Sequence, residues 1–146
     1  MYNKSYSEEL DITENHLKIL GLFTKGFTSE YYIREVQKML AISPRTAQLI
    51  LADLEKKTVL ESKKRGKIRT YKIKQHPLAW EFLIFAEQYK KTLFFSHYDI
   101  IRELAVKIQP HLKGIAGIFG SYAKGTANKD SDLDVFIVGG YNKKEI

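Results

Sequence analysis

The 146-residue chain contains no cysteine. Disulfides and thiolate metal sites are therefore excluded. It contains no run of 18 or more apolar residues, so it offers no candidate transmembrane helix and no membrane is expected as a partner. Residues 1–11 are polar and hold no signal-peptide core. The four histidines, His16, His76, His97 and His111, show no metal-ligand spacing and are expected to be ordinary helix-face or boundary residues. No repeat or low-complexity segment is present. Hydrophobic residues make up 44%, too many for a disordered chain. These absences leave a soluble cytoplasmic protein of one ordinary domain or two small ones.

Charge is present and unevenly placed. The formal net charge is +7. Residues 1–76 hold 15 Lys/Arg against 9 Asp/Glu, whereas residues 77–146 hold 9 against 8. Nine basic residues fall within 56–74: Lys56, Lys57, Lys63, Lys64, Arg65, Lys67, Arg69, Lys72 and Lys74. Only Glu61 opposes them there. Such density suits phosphate binding. A solvated hairpin tip would carry the same charge.

Apolar spacing predicts a first helix over 11–24, with Asp11 or Thr13 as cap and Ile12, Leu17, Ile19, Leu20 and Phe23 mostly on one face. Gly26 breaks it. Thr28 or Ser29 is expected to cap a second helix carrying Tyr32, Ile33, Val36, Met39 and Leu40. Ala41 and Ile42 form a turn. Ser43-Pro44 then opens a third helix with Ala47, Ile50, Leu51 and Leu54 buried. Two strands, 59–63 and 68–74, are expected around the turn 64–67, with Leu60, Tyr71 and Ile73 packed inward.

Three helices and a hairpin, with only a few residues between the second and third helices, read as a winged helix-turn-helix. In that geometry the N-terminal residues of the third helix reach base edges. Arg45 suits guanine, Gln48 suits adenine, and Leu49 lies off the buried stripe where it could touch a thymine methyl. Thr46 faces outward beside them. Lys63, Lys64, Arg65 and Lys67 would contact phosphate or the minor groove. The stretch SPRTAQLILADLEKKTVLESKKRGKIRTYKI resembles the recognition helix and wing of prokaryotic winged-helix regulators of the ArsR/MarR-like kind. Those regulators usually carry glycine where this chain has Thr58. The resemblance implies double-stranded DNA as partner; a winged helix used only for protein contacts is the other reading.

His76-Pro77 marks a boundary. Residues 78–95 predict a long helix, apolar around much of its first half, which must be buried against something. It is a candidate homodimer helix or a spine between domains. Ser96, with Asp99 three residues on, is expected to cap a further helix bearing Ile100, Leu104, Ala105 and Ile108, and Pro110 stops it. Residues 115–119 and 133–138 read as short strands.

Between those strands runs GSYAKGTANKDSD. Gly120-Ser121 follows an apolar strand and starts a turn that can lead into a helix, where backbone N–H groups bind phosphate well. Asp132 and Asp134, two apart on a strand, would point to one face. Paired carboxylates repel unless a cation joins them, and Mg²⁺ favours oxygen ligands. Singly these features are weak. In this order they are specific.

The pattern resembles the nucleotidyltransferases of the DNA polymerase beta superfamily, in particular the small minimal nucleotidyltransferases. Their G-S-x-A-[RK]-G…S-D-[LI]-D falls on Gly120, Ser121, Ala123, Lys124, Gly125, Ser131, Asp132, Leu133 and Asp134. Lys124 stands where arginine is commoner. The resemblance implies that Gly120, Ser121, Lys124 and Gly125 bind the nucleotide, an NTP of which ATP is the expected one. It implies that Asp132 and Asp134 are catalytic and hold Mg²⁺. The expected reaction places a nucleotidyl group, AMP above all, on a hydroxyl. Some members of the group pair with a helical HEPN-type toxin, which makes a HEPN-like partner in a toxin–antitoxin pair an expectation.

The expected fold is α+β. A winged helix-turn-helix DNA-binding domain covers 1–76, a connecting or dimerisation helix 77–95, and the start of a polymerase-beta-like α/β nucleotidyltransferase domain 96–146. The superfamily uses a third carboxylate on a later strand, and only Glu145 follows Asp134. Two strands make no stable sheet alone. The frame is thus expected to continue past Ile146 or the domain to be completed by another subunit. The alternative function is a winged-helix regulator or antitoxin whose nucleotidyltransferase part does not catalyse.

Overall fold

The computed structural model describes residues 10–26 and 28–141. The chain divides into two units, Met1–Leu93 and Phe94–Ile146.

In the first unit, α1 (Glu14–Phe23) starts after Thr13, one of the two expected caps. Thr13 N–H donates to His16 Nδ1 at 3.2 Å. Because Nδ1 accepts there, the ring carries its proton on Nε2, which lies 3.2 Å from Asp53 Oδ2. Lys57 Nζ reaches the same oxygen at 2.5 Å. Burial opposes the Asp53 charge. Lys57 and His16 outweigh it and hold the carboxyl below its ordinary range. His16 is buried. It fastens α1 to Asp53 on α3 (Pro44–Lys56), the helix read as the DNA reader.

The third helix forms as its sequence dictates. Ser43 Oγ accepts from Thr46 N–H at 2.9 Å, and Pro44 takes the first helical position. Ala47, Ile50, Leu51 and Leu54 are all buried.

The second helix starts later than expected. Neither Thr28 nor Ser29 caps it. Tyr31–Tyr32 instead form a two-residue strand, β1, and α2 (Ile33–Leu40) begins after Tyr32. Glu35 Oε2 accepts the Tyr32 N–H at 3.0 Å. Strand pairing wins here because aromatic residues fit a half-buried sheet surface. The Tyr31 ring also packs edge-on against Phe23, with centroids 5.1 Å apart. Val36 is buried, whereas Met39, expected inward, is exposed.

The hairpin comprises β2 (Leu60–Arg65) and β3 (Ile68–Ile73), with β3 in the centre of a three-stranded antiparallel sheet. The ladder runs on to Arg65↔Ile68, leaving two residues in the turn where four were expected. Gly66 has φ +61° at the first of them, the place where a tight hairpin turn calls for glycine. Leu60, Tyr71 and Ile73 are buried as expected.

These side chains share one core with Ile19, Leu20, Phe23, Leu51, Leu54 and Val59. Each large side chain buried there contributes about 1.5–3 kcal/mol. The helix α4 (Pro77–His97) adds Ala79, Phe82, Leu83 and Ala86. It leaves Leu78, Ile84 and Phe85 exposed. Tyr89 donates to Glu14 Oε1 at 2.5 Å, tying α4 to α1. Burial and that bond push the Tyr89 hydroxyl up to about 12.

In the second unit, α5 (Asp99–Ile108) is capped at Tyr98. Ser96, expected as the cap, lies inside α4. Ile101 and Ile108 are buried, whereas Ile100 is exposed. Residues 101, 104, 105 and 108 share one helical face, so the stripe belongs to Ile101. A single 3₁₀ turn, Gln109–His111, holds Pro110 and ends the helix. Then β4 (Leu112–Phe119) pairs antiparallel with β5 (Asp134–Tyr141), from Leu112↔Tyr141 to Phe119↔Asp134. Both strands exceed the short segments expected.

Candidate functional site

On α3, most of the residues expected to face outward do so. Arg45 and Gln48 are exposed, and Leu49 is 53% exposed. Thr46 is only half-exposed, and its hydroxyl lies 2.8 Å from Ser43 Oγ. Its polar capacity is thus partly spent on the helix start.

On the hairpin, Lys63, Lys64, Arg65 and Lys67 are all exposed. They are not equivalent. Arg65 Nη2 lies 3.6 Å from Glu30 Oε2, while Lys63, Lys64 and Lys67 have no ion pair among the described residues. At the base, Glu61 binds Lys72 at 2.9 Å. Glu55 accepts from Ser62 at 2.5 Å and lies 3.8 Å from Arg69. Lys72, Arg69 and Arg65 thus each face an acid, whereas Lys63, Lys64 and Lys67 do not among the described residues. Sequence reasoning counted only Glu61 against this cluster. Glu30 lies far from the stretch in sequence and Glu55 just outside it, next to Lys56, so their contacts with Arg65 and Arg69 are revealed only by the fold.

Thr58 joins α3 to β2 with φ +60°. This is left-handed backbone, strained for a β-branched residue and open to glycine without that strain.

The second unit builds its site at one end of the β4–β5 ladder. Phe119 and Asp134 are the final pair. Directly after Phe119 the chain turns into α6 (Gly120–Lys124). Gly120 has φ +70°, and a Cβ placed on it would overlap Asp134 Oδ2. The glycine is therefore required twice, by backbone conformation and by the carboxylate beside it. Gly125, φ +70°, ends the helix, and Thr126 N–H closes onto the Ser121 carbonyl at 2.9 Å. Lys124 is exposed and Ser121 half-buried.

The two aspartates stand differently from the expectation. Asp134 is the first strand residue, but Asp132 precedes the strand and is exposed. Strand alternation does not align the pair. The loop before them is organised by Asn128, which sequence reasoning passed over. Its Oδ1 accepts from Asp130 N–H at 2.9 Å, and its own N–H donates to Ser131 Oγ at 2.9 Å. Asparagine within a Thr-Ala-Asn-Lys-Asp-Ser-Asp run is an ordinary signal for such a turn. Ser131 thereby holds the approach to Asp132. Tyr122 packs edge-on against Tyr98, with centroids 5.1 Å apart.

Two carboxylates are a donor set suited to a hard cation such as Mg²⁺. Among the described residues no group of three or more His, Cys, Asp or Glu side chains gathers that could hold a metal ion. Asp134's carboxylate packed over the glycine turn fits the joining of a cation to a bound phosphate. Glu145 lies outside the described residues.

Residues 99–145 match the family model described as a nucleotidyltransferase domain. No curated protein matches the chain. Among solved structures, the chain is similar to the adhesin competence repressor AdcR from Streptococcus pyogenes. The TM-score is 0.53 at 14% identity, covering 67% of this chain and 70% of that one. It is also similar to a cysteine-to-serine mutant of ZitR from Lactococcus lactis. There the TM-score is 0.50 at 18% identity, covering 69% of this chain and 65% of that one. The likeness is one of fold. The chain thus joins an N-terminal winged helix-turn-helix fold, similar to that of these repressors, to a C-terminal segment that matches the nucleotidyltransferase-domain model. That match occupies the C-terminal third of the chain.

Proposed function

We propose that this chain binds duplex DNA through its winged helix and uses its C-terminal unit to transfer a nucleotidyl group. The observation that carries the second half is the placement of the Asp134 carboxylate where a Cβ on Gly120 would have to go. A glycine turn with a carboxylate so close suits the binding of a phosphate group together with a cation.

In this reading the substrate is an NTP, ATP in the first instance. Backbone N–H groups at Gly120 and Ser121 hold its phosphates, Lys124 adds positive charge, and Gly125 closes the turn. Asp132 and Asp134 would hold Mg²⁺, which when bound neutralises triphosphate charge and activates the attacking oxygen. A hydroxyl oxygen of the acceptor bonds to the α-phosphorus as the bond to pyrophosphate breaks, pyrophosphate leaves, and the hydroxyl proton passes to water. AMP remains on the acceptor.

The winged helix would position this chemistry on DNA, with Arg45, Thr46 and Gln48 at base edges and the wing lysines at phosphates. The exposed Leu78, Ile84 and Phe85 of α4 support a homodimer. A HEPN-like helical partner, as in a toxin–antitoxin pair, would supply the acceptor hydroxyl. No helix among the described residues is long and apolar enough to cross a membrane. A cytoplasmic setting suits an ATP-using, DNA-binding protein.

Labelled ATP with Mg²⁺ and candidate hydroxyl acceptors tests the transfer. Label should move to the acceptor, and Asp132→Asn with Asp134→Asn should abolish it. Transfer unchanged in that double variant would remove the assignment. DNA binding should weaken with salt at a log–log slope of about −0.9 per phosphate contacted. If Lys63, Lys64, Arg65 and Lys67 can all become alanine without loss of affinity, the wing is not the DNA contact.

A further inference from the structure

The wing ends in a side chain that packing does not explain. In the β2–β3 register, Leu60, Ser62 and Lys64 lie opposite Ile73, Tyr71 and Arg69. Leu60, Tyr71 and Ile73 are buried, so this face turns to the core. The alternating pairs, Glu61–Lys72, Lys63–Thr70 and Arg65–Ile68, face away from it. Ile68 is therefore on the outer face. It is 51% exposed and takes no part in the core cluster.

Its surroundings are cationic. Arg65 lies directly across, Lys63 two residues farther along the same face, and Lys67 beside it in the turn. Arg65 is drawn toward Glu30 at 3.6 Å, while Lys63 and Lys67 have no ion pair among the described residues. A branched apolar side chain among free cations at a hairpin tip suits a surface with anionic rims and an apolar floor. The minor groove of duplex DNA has phosphates on both rims, with sugars and base edges between them. At G·C pairs the guanine N2 amino group projects into that floor. Isoleucine can accept no hydrogen bond from it, so a G·C pair under Ile68 leaves a donor desolvated and unpaired. A·T pairs carry no such group.

We propose that Ile68 is a specificity-determining contact, seated in the minor groove and favouring A·T over G·C pairs beneath the wing. The proposal rests on the DNA-binding reading above.

The test measures affinity of the full chain, over a range of salt, for duplexes of equal length that are A·T-rich, G·C-rich, or G·C-rich with inosine replacing guanine. Inosine removes only the minor-groove amino group. The wild-type chain should favour the A·T duplex about fivefold or more. Inosine should restore most of the affinity lost on the G·C duplex. Ile68→Ala should erase the preference with the salt slope unchanged, because no phosphate contact is lost. Lys63→Ala should do the reverse, lowering the slope by about 0.9 with the preference kept. Ile68→Val should retain part of the preference, and circular dichroism verifies that each variant is folded. A preference that survives Ile68→Ala, or inosine behaving as guanine, overturns the proposal and leaves the DNA-binding reading standing. If the chain binds none of the duplexes, both fall together.

Discussion

Asp134 Oδ2 occupies the space that a Cβ on Gly120 would need. The two residues are fourteen positions apart, yet they meet because Phe119 and Asp134 close the β4–β5 ladder. Gly120→Ala must push the carboxylate aside and also hold φ +70°, a conformation costing an L-residue about 1–2 kcal/mol. Nucleotide binding should fall at least tenfold while DNA affinity stays constant. Titration of ATP with Mg²⁺ into the variant checks this, and wild-type binding would show that the contact has no role in the site.

Thr58 offers a stability test in the other unit. Its φ of +60° is strained for a β-branched side chain. Thr58→Gly should raise stability by about 0.5–1 kcal/mol, the relief of strain exceeding glycine's added chain entropy. Urea unfolding measures it as a higher midpoint at unchanged slope. A lower midpoint would mean that the hydroxyl bond to the Lys57 carbonyl, 2.6 Å, matters more than the strain.

The Asp53 cluster predicts a pH dependence with a definite sign. Burial works against this carboxylate, yet Lys57 and His16 hold its folded value below the ordinary 3.8. A group depressed on folding contributes stability that is present above its unfolded pKa and lost as pH falls through the folded one. Asp53→Asn should therefore destabilise at pH 7, by about 1 kcal/mol given the carboxylate's partial exposure. The gap between wild type and variant should close as the pH falls below about 4. Urea melts at pH 7 and pH 3 compare the two.

Much of this was legible in residue order alone. Ser43-Pro44 and the stripe Ala47, Ile50, Leu51, Leu54 specify the third helix because cap and core face lie within one local run. The hairpin was equally plain from Leu60, Tyr71 and Ile73. What escaped depends on distant partners. Tyr31 and Tyr32 favour a strand as residue types, but two residues are too short a run to mark one; they become one because Tyr71 and Thr70 lie alongside. Glu30 and Glu55 temper the wing charge through tertiary contacts alone. In the second unit the Gly-Ser and Asp-x-Asp pattern located the site, but not its geometry. Alternation placed both aspartates on one strand, whereas the Asn128 turn keeps Asp132 ahead of it. Loop hydrogen bonds of that kind have no periodicity to betray them.

The central claim is that the glycine turn and the aspartates together bind a nucleotide with its metal. Calorimetric titration of ATP into the full chain, with Mg²⁺ and with chelator, addresses it most directly. Heat of binding should appear only with Mg²⁺ and should vanish in the Asp132→Asn, Asp134→Asn variant, whose winged helix remains folded by circular dichroism. Absence of binding, binding indifferent to Mg²⁺, or binding undiminished in the double variant would contradict it.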